Sequence, residues 1–241
     1  MNIALFGGTF DPIHRGHLNV ARAAAERFKL KEVWFVPADI PPHKQKAPVT
    51  VYYHRYAMVA LALAGEKRFV PSLLEAPDCE VGGKERRPSY SIETVRRVKS
   101  MMGARDRLYF LIGIDAFRDI GTWYKAEELL RECDFIVAAR PGYSLADVVG
   151  SLPKGLQENP PLRQAQGRLY RQKRAVERGT RPKKAGLLEL PGVRLHLLRE
   201  THEDISATQI RACIKRGAGL KNLVPDAVAE YINKEHLYRS K

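Results

Sequence analysis

Ile3-Ala4-Leu5-Phe6-Gly7-Gly8-Thr9-Phe10-Asp11-Pro12-Ile13-His14-Arg15-Gly16-His17-Leu18 is the stretch of the 241-residue chain that decides its fold and points to its chemistry. A short apolar run suited to one strand ends on two adjacent glycines, and a helical pattern begins past Pro12, near His17. Two glycines let the backbone turn tightly and approach a ligand closely. The helix start presents unpaired amide N–H groups and the positive end of its dipole, which together attract anions. His14 and His17, three apart with Gly16 between them, can aim both imidazoles at one anion from that start.

Outward from this turn, strand-like runs at 3–6, 33–36, 68–70, 108–112, 135–139 and 193–198 alternate with helical patterns at 18–28, 52–64, 92–101, 125–132 and 208–215. That rhythm implies right-handed crossovers and a mostly parallel, doubly wound α/β sheet with helices on both faces. Ligands in such sheets bind at the carboxyl ends of strands where the winding reverses. The length suits a single domain spanning 1–241. The stretch 152–186 breaks the rhythm, being rich in Pro, Gln and Arg with little apolar periodicity, and reads as a disordered insert.

The formal charge of +14 raises nucleic acid as a partner, yet its distribution argues against one. Residues 154–184 hold ten basic residues against two acidic ones, a net +8 in the insert alone. Tyr170 is the one aromatic there, so base stacking is poorly supplied and no nucleic-acid partner is expected. No apolar run approaches the length of a membrane span, and no basic leader with a cleavage site precedes the first strand, so a soluble, cytoplasmic protein is expected. Cys79, Cys133 and Cys213 are odd in number and widely spaced, which fits reduced thiols rather than a disulfide framework or a zinc site. His43, His54, His196, His202 and His236 share no spacing and read as solvated or locally hydrogen-bonded. Neither a Walker A sequence nor Gly-x-Gly-x-x-Gly occurs, so P-loop hydrolases and dinucleotide-dependent dehydrogenases find no support.

A second anion-binding candidate lies in Ile205-Ser206-Ala207-Thr208-Gln209-Ile210-Arg211. Ser206 followed three residues later by Gln209 is a capping box, which sets a helix start there. Arg211, one turn inside, adds a permanent charge whose forked donors match phosphate oxygens.

The segment 7–18 resembles the His-x-Gly-His signature of the nucleotidylyltransferase superfamily, and its Gly-Gly-Thr-Phe-Asp-Pro form is similar to that of bacterial nicotinate-nucleotide adenylyltransferases. Ile-Ser-x-Thr-x-Ile-Arg resembles the superfamily's second signature, which grips the β- and γ-phosphates of ATP. The superfamily's Rossmann-like sheet agrees with the rhythm above. The resemblance covers about 1–145 and 187–240 and includes Pro41-Pro42-His43-Lys44, Arg87-Pro88-Ser89-Tyr90-Ser91, Gly113-Ile114-Asp115, Trp123-Tyr124 and Ala138-Ala139-Arg140-Pro141-Gly142-Tyr143.

The resemblance implies transfer of AMP from ATP to nicotinate mononucleotide, giving nicotinate adenine dinucleotide and pyrophosphate in NAD biosynthesis. It assigns His14, His17, Lys44 and Arg211 to catalysis, and Gly7, Gly8, Thr9, Phe10, Asp115, Ser206 and Thr208 to ATP. Ser91, Trp123 and Tyr124 fall to the pyridine nucleotide, with Trp123 stacking on the ring. Ser91 stands where the family often has Thr, so preference for acid over amide stays open. Mg²⁺ carried by the ATP phosphates is the expected cofactor, with no protein metal cage. The alternatives are adenylyl transfer to nicotinamide mononucleotide or phosphopantetheine, and the Trp123 region speaks against the latter. The oligomeric state stays open.

Overall fold

A computed structural model of the chain describes residues 1–40, 49–77, 88–139, 145–157, 186–199 and 205–239. Lys44, the 140–143 segment, Cys79, His43, His202 and all of the insert from 158 to 185 lie outside the described residues.

Seven strands form one sheet: β1 (Asn2–Gly8), β2 (Glu32–Pro37), β3 (Phe69–Pro71), β4 (Arg107–Gly113), β5 (Asp134–Ala138), β6 (Leu187–Leu190) and β7 (Val193–Leu198). Their order is β3-β2-β1-β4-β5-β7-β6, so the winding reverses at β1. β2 with β3, β4 with β5, and β5 with β7 run parallel. The expected strands all form, while the antiparallel edge strand β6 departs from the expected parallel pattern. Leu190 pairs with Val193, leaving Pro191-Gly192 as a two-residue turn in which Gly192 takes φ +75, a conformation that favours glycine.

The described contacts group into two compact units, Met1–Ala4 with Ser91–His202, and Leu5–Tyr90 with Glu203–Lys241. In the first, Leu108 to Ile112 of β4 and all five residues of β5 are buried, as expected of strands covered on both faces. At the edge, β6 alternates exposed and buried residues. Helices α3 (Ser91–Ser100) and α5 (Ala126–Glu132) pack together, and Arg96 and Lys99 reach Glu128 and Glu132 across their exposed rims. Such exposed pairs, screened by water, add little to stability. Short helices α4 (Ile114–Phe117), α6 (Leu145–Gly150) and α7 (Lys154–Gln157) complete this unit.

The insert begins later than its composition suggests. Leu152 and Leu156 are buried, α7 occupies 154–157, and the Gly186 carbonyl accepts the Leu197 N–H. Two apolar anchors four apart were enough to tie down a stretch whose Pro and Gln content suggested a loop.

In the second unit, α1 (Arg15–Arg27) buries Leu18, Ala21, Ala24 and Ala25, the spacing of one helical stripe, and packs on β2. Its first helical residue comes two before the expected start near His17, because His14 already serves as the N-cap with extended backbone angles. Helix α2 (Tyr52–Leu63) packs on β2 and β3 and meets α9 (Asp226–Lys234), where His54 Nδ1 lies 2.9 Å from the Tyr231 hydroxyl. Helix α8 (Ala207–Lys215) precedes α9. His196 is likewise locally bonded, to Asp134. Cys133 and Cys213 are free thiols. Among the described residues no helix is long and apolar enough to cross a membrane.

Candidate active site

The 7–17 turn is fixed from beneath by aromatic packing. Phe10, buried and at φ 48, turns its ring back so that a Cβ on Gly8 would lie 2.9 Å from its Cζ. A larger residue there would have to displace that buried ring. A non-glycine residue in the left-handed region costs about 1 kcal/mol or more, offset here by edge-on or tilted contacts of Phe10 with Phe6, His17 and Phe35 at 5.1 to 5.7 Å. Gly8 also accepts the Ala38 N–H through its carbonyl at 3.0 Å, tying the end of β1 to the end of β2.

His14 and His17 stack with centroids 3.6 Å apart and planes 26° from parallel. The His14 backbone N–H donates to His17 Nδ1 at 3.2 Å, so in the neutral ring the proton sits on Nε2, which becomes a donor. His14 is 7% exposed, and its Nδ1 is buried without a hydrogen-bond partner. Burial lowers the His14 pKa to about 4, and burial with the nearby His14 holds His17 well below the ordinary histidine range. Both rings are therefore neutral at pH 7, and an anion docking against them would favour the protonated form. Gly16 makes room for the stack, since a Cβ there would meet His14 Nδ1 at 3.1 Å and the Ile205 side chain at 3.7 Å.

Ile205 leads into the second helix start. The expected capping box forms: Ser206 Oγ accepts the Gln209 N–H at 3.2 Å and Gln209 Oε1 accepts the Ser206 N–H at 3.0 Å. Arg211 Nη1 donates to the Asp11 carbonyl at 2.6 Å and Nη2 to Thr208 Oγ1 at 3.2 Å. Thus Arg211 reaches the very turn that carries the two histidines. Gly7, Gly8, Thr9, Phe10, His14, His17, Ser206, Thr208 and Arg211 all belong to the second compact unit.

Ser91, Asp115, Trp123 and Tyr124 belong to the first unit. Ser91 opens α3, and Asp115 lies in the first turn of α4, directly past the carboxyl end of β4, where the sequence put it. Trp123 ends a 3₁₀ turn and sets its indole edge-on to Phe110 at 6.2 Å. Tyr124 is 49% exposed, with Lys125 Nζ 5.7 Å from its ring centroid. Among the described residues no cluster of three or more His, Cys, Asp or Glu side chains could hold a metal ion.

Three residues to which sequence reasoning gave no role organise the turn. Arg55, 1% exposed, donates to the carbonyls of Thr9 at 2.8 Å, Thr50 at 2.8 Å and Asp39 at 3.1 Å. Its sequence signal was present: it sits in the buried stripe of α2 with Tyr52, Met58, Val59 and Ala62. Asp11 stands in the first signature, but its pairing with Tyr238, 227 residues away, has no local signal.

A cytidylyltransferase-like family model matches residues 5–213. A probable nicotinate-nucleotide adenylyltransferase of Geobacter sulfurreducens is 35% identical over 238 residues, covering 99% of this chain and 98% of the relative. This chain is a nicotinate-nucleotide adenylyltransferase family member. A second such relative, from Moorella thermoacetica, is 38% identical over 98% of this chain and 91% of its own length. Among solved structures, Plasmodium falciparum nicotinic acid mononucleotide adenylyltransferase complexed with NaAD aligns at TM-score 0.64 and 19% identity, over 98% of this chain and 97% of that one, and shares the fold with this adenylyltransferase.

Proposed function

We propose that the stacked histidines and Arg211 bind the ATP phosphates in the reaction this family carries out. The chain transfers AMP from ATP to nicotinate mononucleotide, giving nicotinate adenine dinucleotide and pyrophosphate. The observation that carries the residue assignment is the buried, unpartnered His14 Nδ1 stacked on His17 at a helix start that Arg211 also reaches. A buried polar atom without a partner is uncommon, and a bound anion would satisfy it.

The 5′-phosphate of the mononucleotide attacks the α-phosphorus of ATP in line, forming a P–O bond as the bond to the β-phosphate bridging oxygen breaks and pyrophosphate leaves. The nucleophile is already an anion, so no side chain need act as general base or covalent nucleophile. Catalysis then rests on alignment and on stabilising charge at the phosphoryl oxygens. His17 Nε2–H, His14, Arg211 and the first amides of α8, at Ala207 and Thr208, are donors of this kind; at the start of α1 the Arg15 and His17 N–H groups are already bonded to the Leu223 and His14 carbonyls. Lys44 is proposed from its sequence setting as a further cation. Gly7, Gly8, Thr9, Phe10, Ser206 and Thr208 shape the nucleotide contacts, and Asp115 is proposed to accept from a ribose. On the pyridine side we assign ring stacking to Trp123 and the carboxylate to Ser91 and the backbone near Tyr124. The described donor set is rich in N–H groups and poor in clustered carboxylates, which fits Mg²⁺ held by phosphate oxygens and water, where it would neutralise the leaving pyrophosphate.

The deciding assay offers purified protein ATP and MgCl₂ with nicotinate mononucleotide, nicotinamide mononucleotide or phosphopantetheine in turn, and measures pyrophosphate and the nucleotide product. Turnover fastest with nicotinate mononucleotide is expected. Turnover with phosphopantetheine alone, or with none of the three, would overturn the assignment.

A further inference from the structure

Arg211 is the permanent cation of the proposed phosphate site, and its own helix supplies only part of its aim. Thr208 holds one nitrogen, while the stronger and shorter bond goes to the carbonyl of Asp11. The Asp11 side chain is itself buried, and both its oxygens are occupied. Oδ1 accepts from the Tyr238 hydroxyl at 2.7 Å, and Oδ2 from the Thr50 N–H at 3.3 Å.

A carboxylate engaged in this way has little capacity left for a substrate or a metal. Its position says something else. Side chain and carbonyl of one residue share a rigid Cα, so clamping the carboxylate limits the rotation of the peptide that carries the acceptor for Arg211. Tyr238 lies in the turn after α9 at φ 62, and burial beside Asp11 pushes its phenol well above the usual range, so it stays a donor. On the other side, Arg55 fixes the Thr9 and Thr50 carbonyls. A guanidinium preset on one carbonyl keeps its remaining donors directed and loses less freedom when phosphate arrives.

We infer that Asp11 is a positioning residue for Arg211, and that the Tyr238 hydroxyl completes it by holding the Asp11 carboxylate. This rests on the assignment of Arg211 to the triphosphate.

Tyr238→Phe removes only the hydroxyl. It is measured alone and on an Arg211→Ala background, with each variant assayed well below its melting temperature. Alone, it should lower kcat/KM for ATP about fivefold to tenfold, part of the worth of one hydrogen bond to a charged group, and leave the KM for the mononucleotide within about twofold. On the Arg211→Ala background the same change should cost less than about twofold, because the group it positions is gone. Asp11→Asn, which keeps the peptide carbonyl and the side-chain size, should show the same dependence on Arg211. Equal losses on both backgrounds, or an unchanged kcat/KM in Tyr238→Phe, would overturn the inference while leaving Arg211 in place. Normal turnover in Arg211→Ala alone would instead remove the phosphate role of Arg211, and this inference with it.

Discussion

Phe10, Asp11, Ile13 and His14 of the first turn are buried, whereas Asp115 and Tyr124 are exposed and Ser91 and Trp123 half-buried. The first region is braced by Arg55, Asp11, Tyr238 and a ring cluster around Phe10. The second hangs on short helical turns, with the edge-on contact of Trp123 to Phe110 as its aromatic brace. The contrast fits a division of tasks. Charge stabilisation at a transition state needs donors fixed before the reaction, because reorganising them costs part of what they supply. A stacking surface for a flat ring tolerates local freedom at the expense of affinity alone.

If that division holds, damage on the phosphate side should appear in kcat. His17→Ala should lower kcat at least about a hundredfold, the order seen when one preorganised donor is removed. A kcat within threefold of the parent, measured by pyrophosphate release, would break the comparison outright. Arg55→Met tests the bracing itself. Three carbonyls lose their donor, so the unfolding free energy from urea melts should fall by about 2 kcal/mol, with kcat falling alongside. A stable variant with full activity would mean that the bracing is incidental.

Trp123→Ala should act on KM, raising that for the mononucleotide about tenfold, the order of one lost aromatic stack, and leaving that for ATP nearly unchanged. Equal rises for both substrates would make Trp123 structural. The smallest effect is on acid stability. The His14 pKa is about 4 in the folded protein against 6.5 when solvated, so between those values the unfolded chain binds more protons. The burial costs nothing above pH 6.5, and its cost grows as pH falls toward 4. His14 alone should lower stability by about 1 kcal/mol from pH 7.5 to 5.5, with His17, also held low by burial, adding to the same slope, and His14→Gln should make the slope shallower in thermal melts.

Most strands and the larger helices were legible because their signals are local. Leu108 to Ile112 is a continuous apolar run, and the Ser206 and Gln209 pair writes its own helix start. The β6 to β7 hairpin was missed although Pro191-Gly192 is a strong turn signal, because a four-residue strand beside the basic insert offers almost no periodicity. Arg55 was not singled out, although its helical phase put it in the core.

The sequence by itself determined the α/β alternation, the two helix starts suited to phosphate, and the side chains that stand at them, since each depends on residues within a few positions of one another. Only the tertiary structure decided that His14 and His17 stack with one nitrogen left unpartnered, and that Arg211 rests on Asp11 while Tyr238 clamps the same residue. The stack is settled by how deeply both rings are buried, and the contacts of Asp11 join residues 200 and 227 positions apart. No local pattern records either, because chain separation is erased only when the packed core brings the elements together.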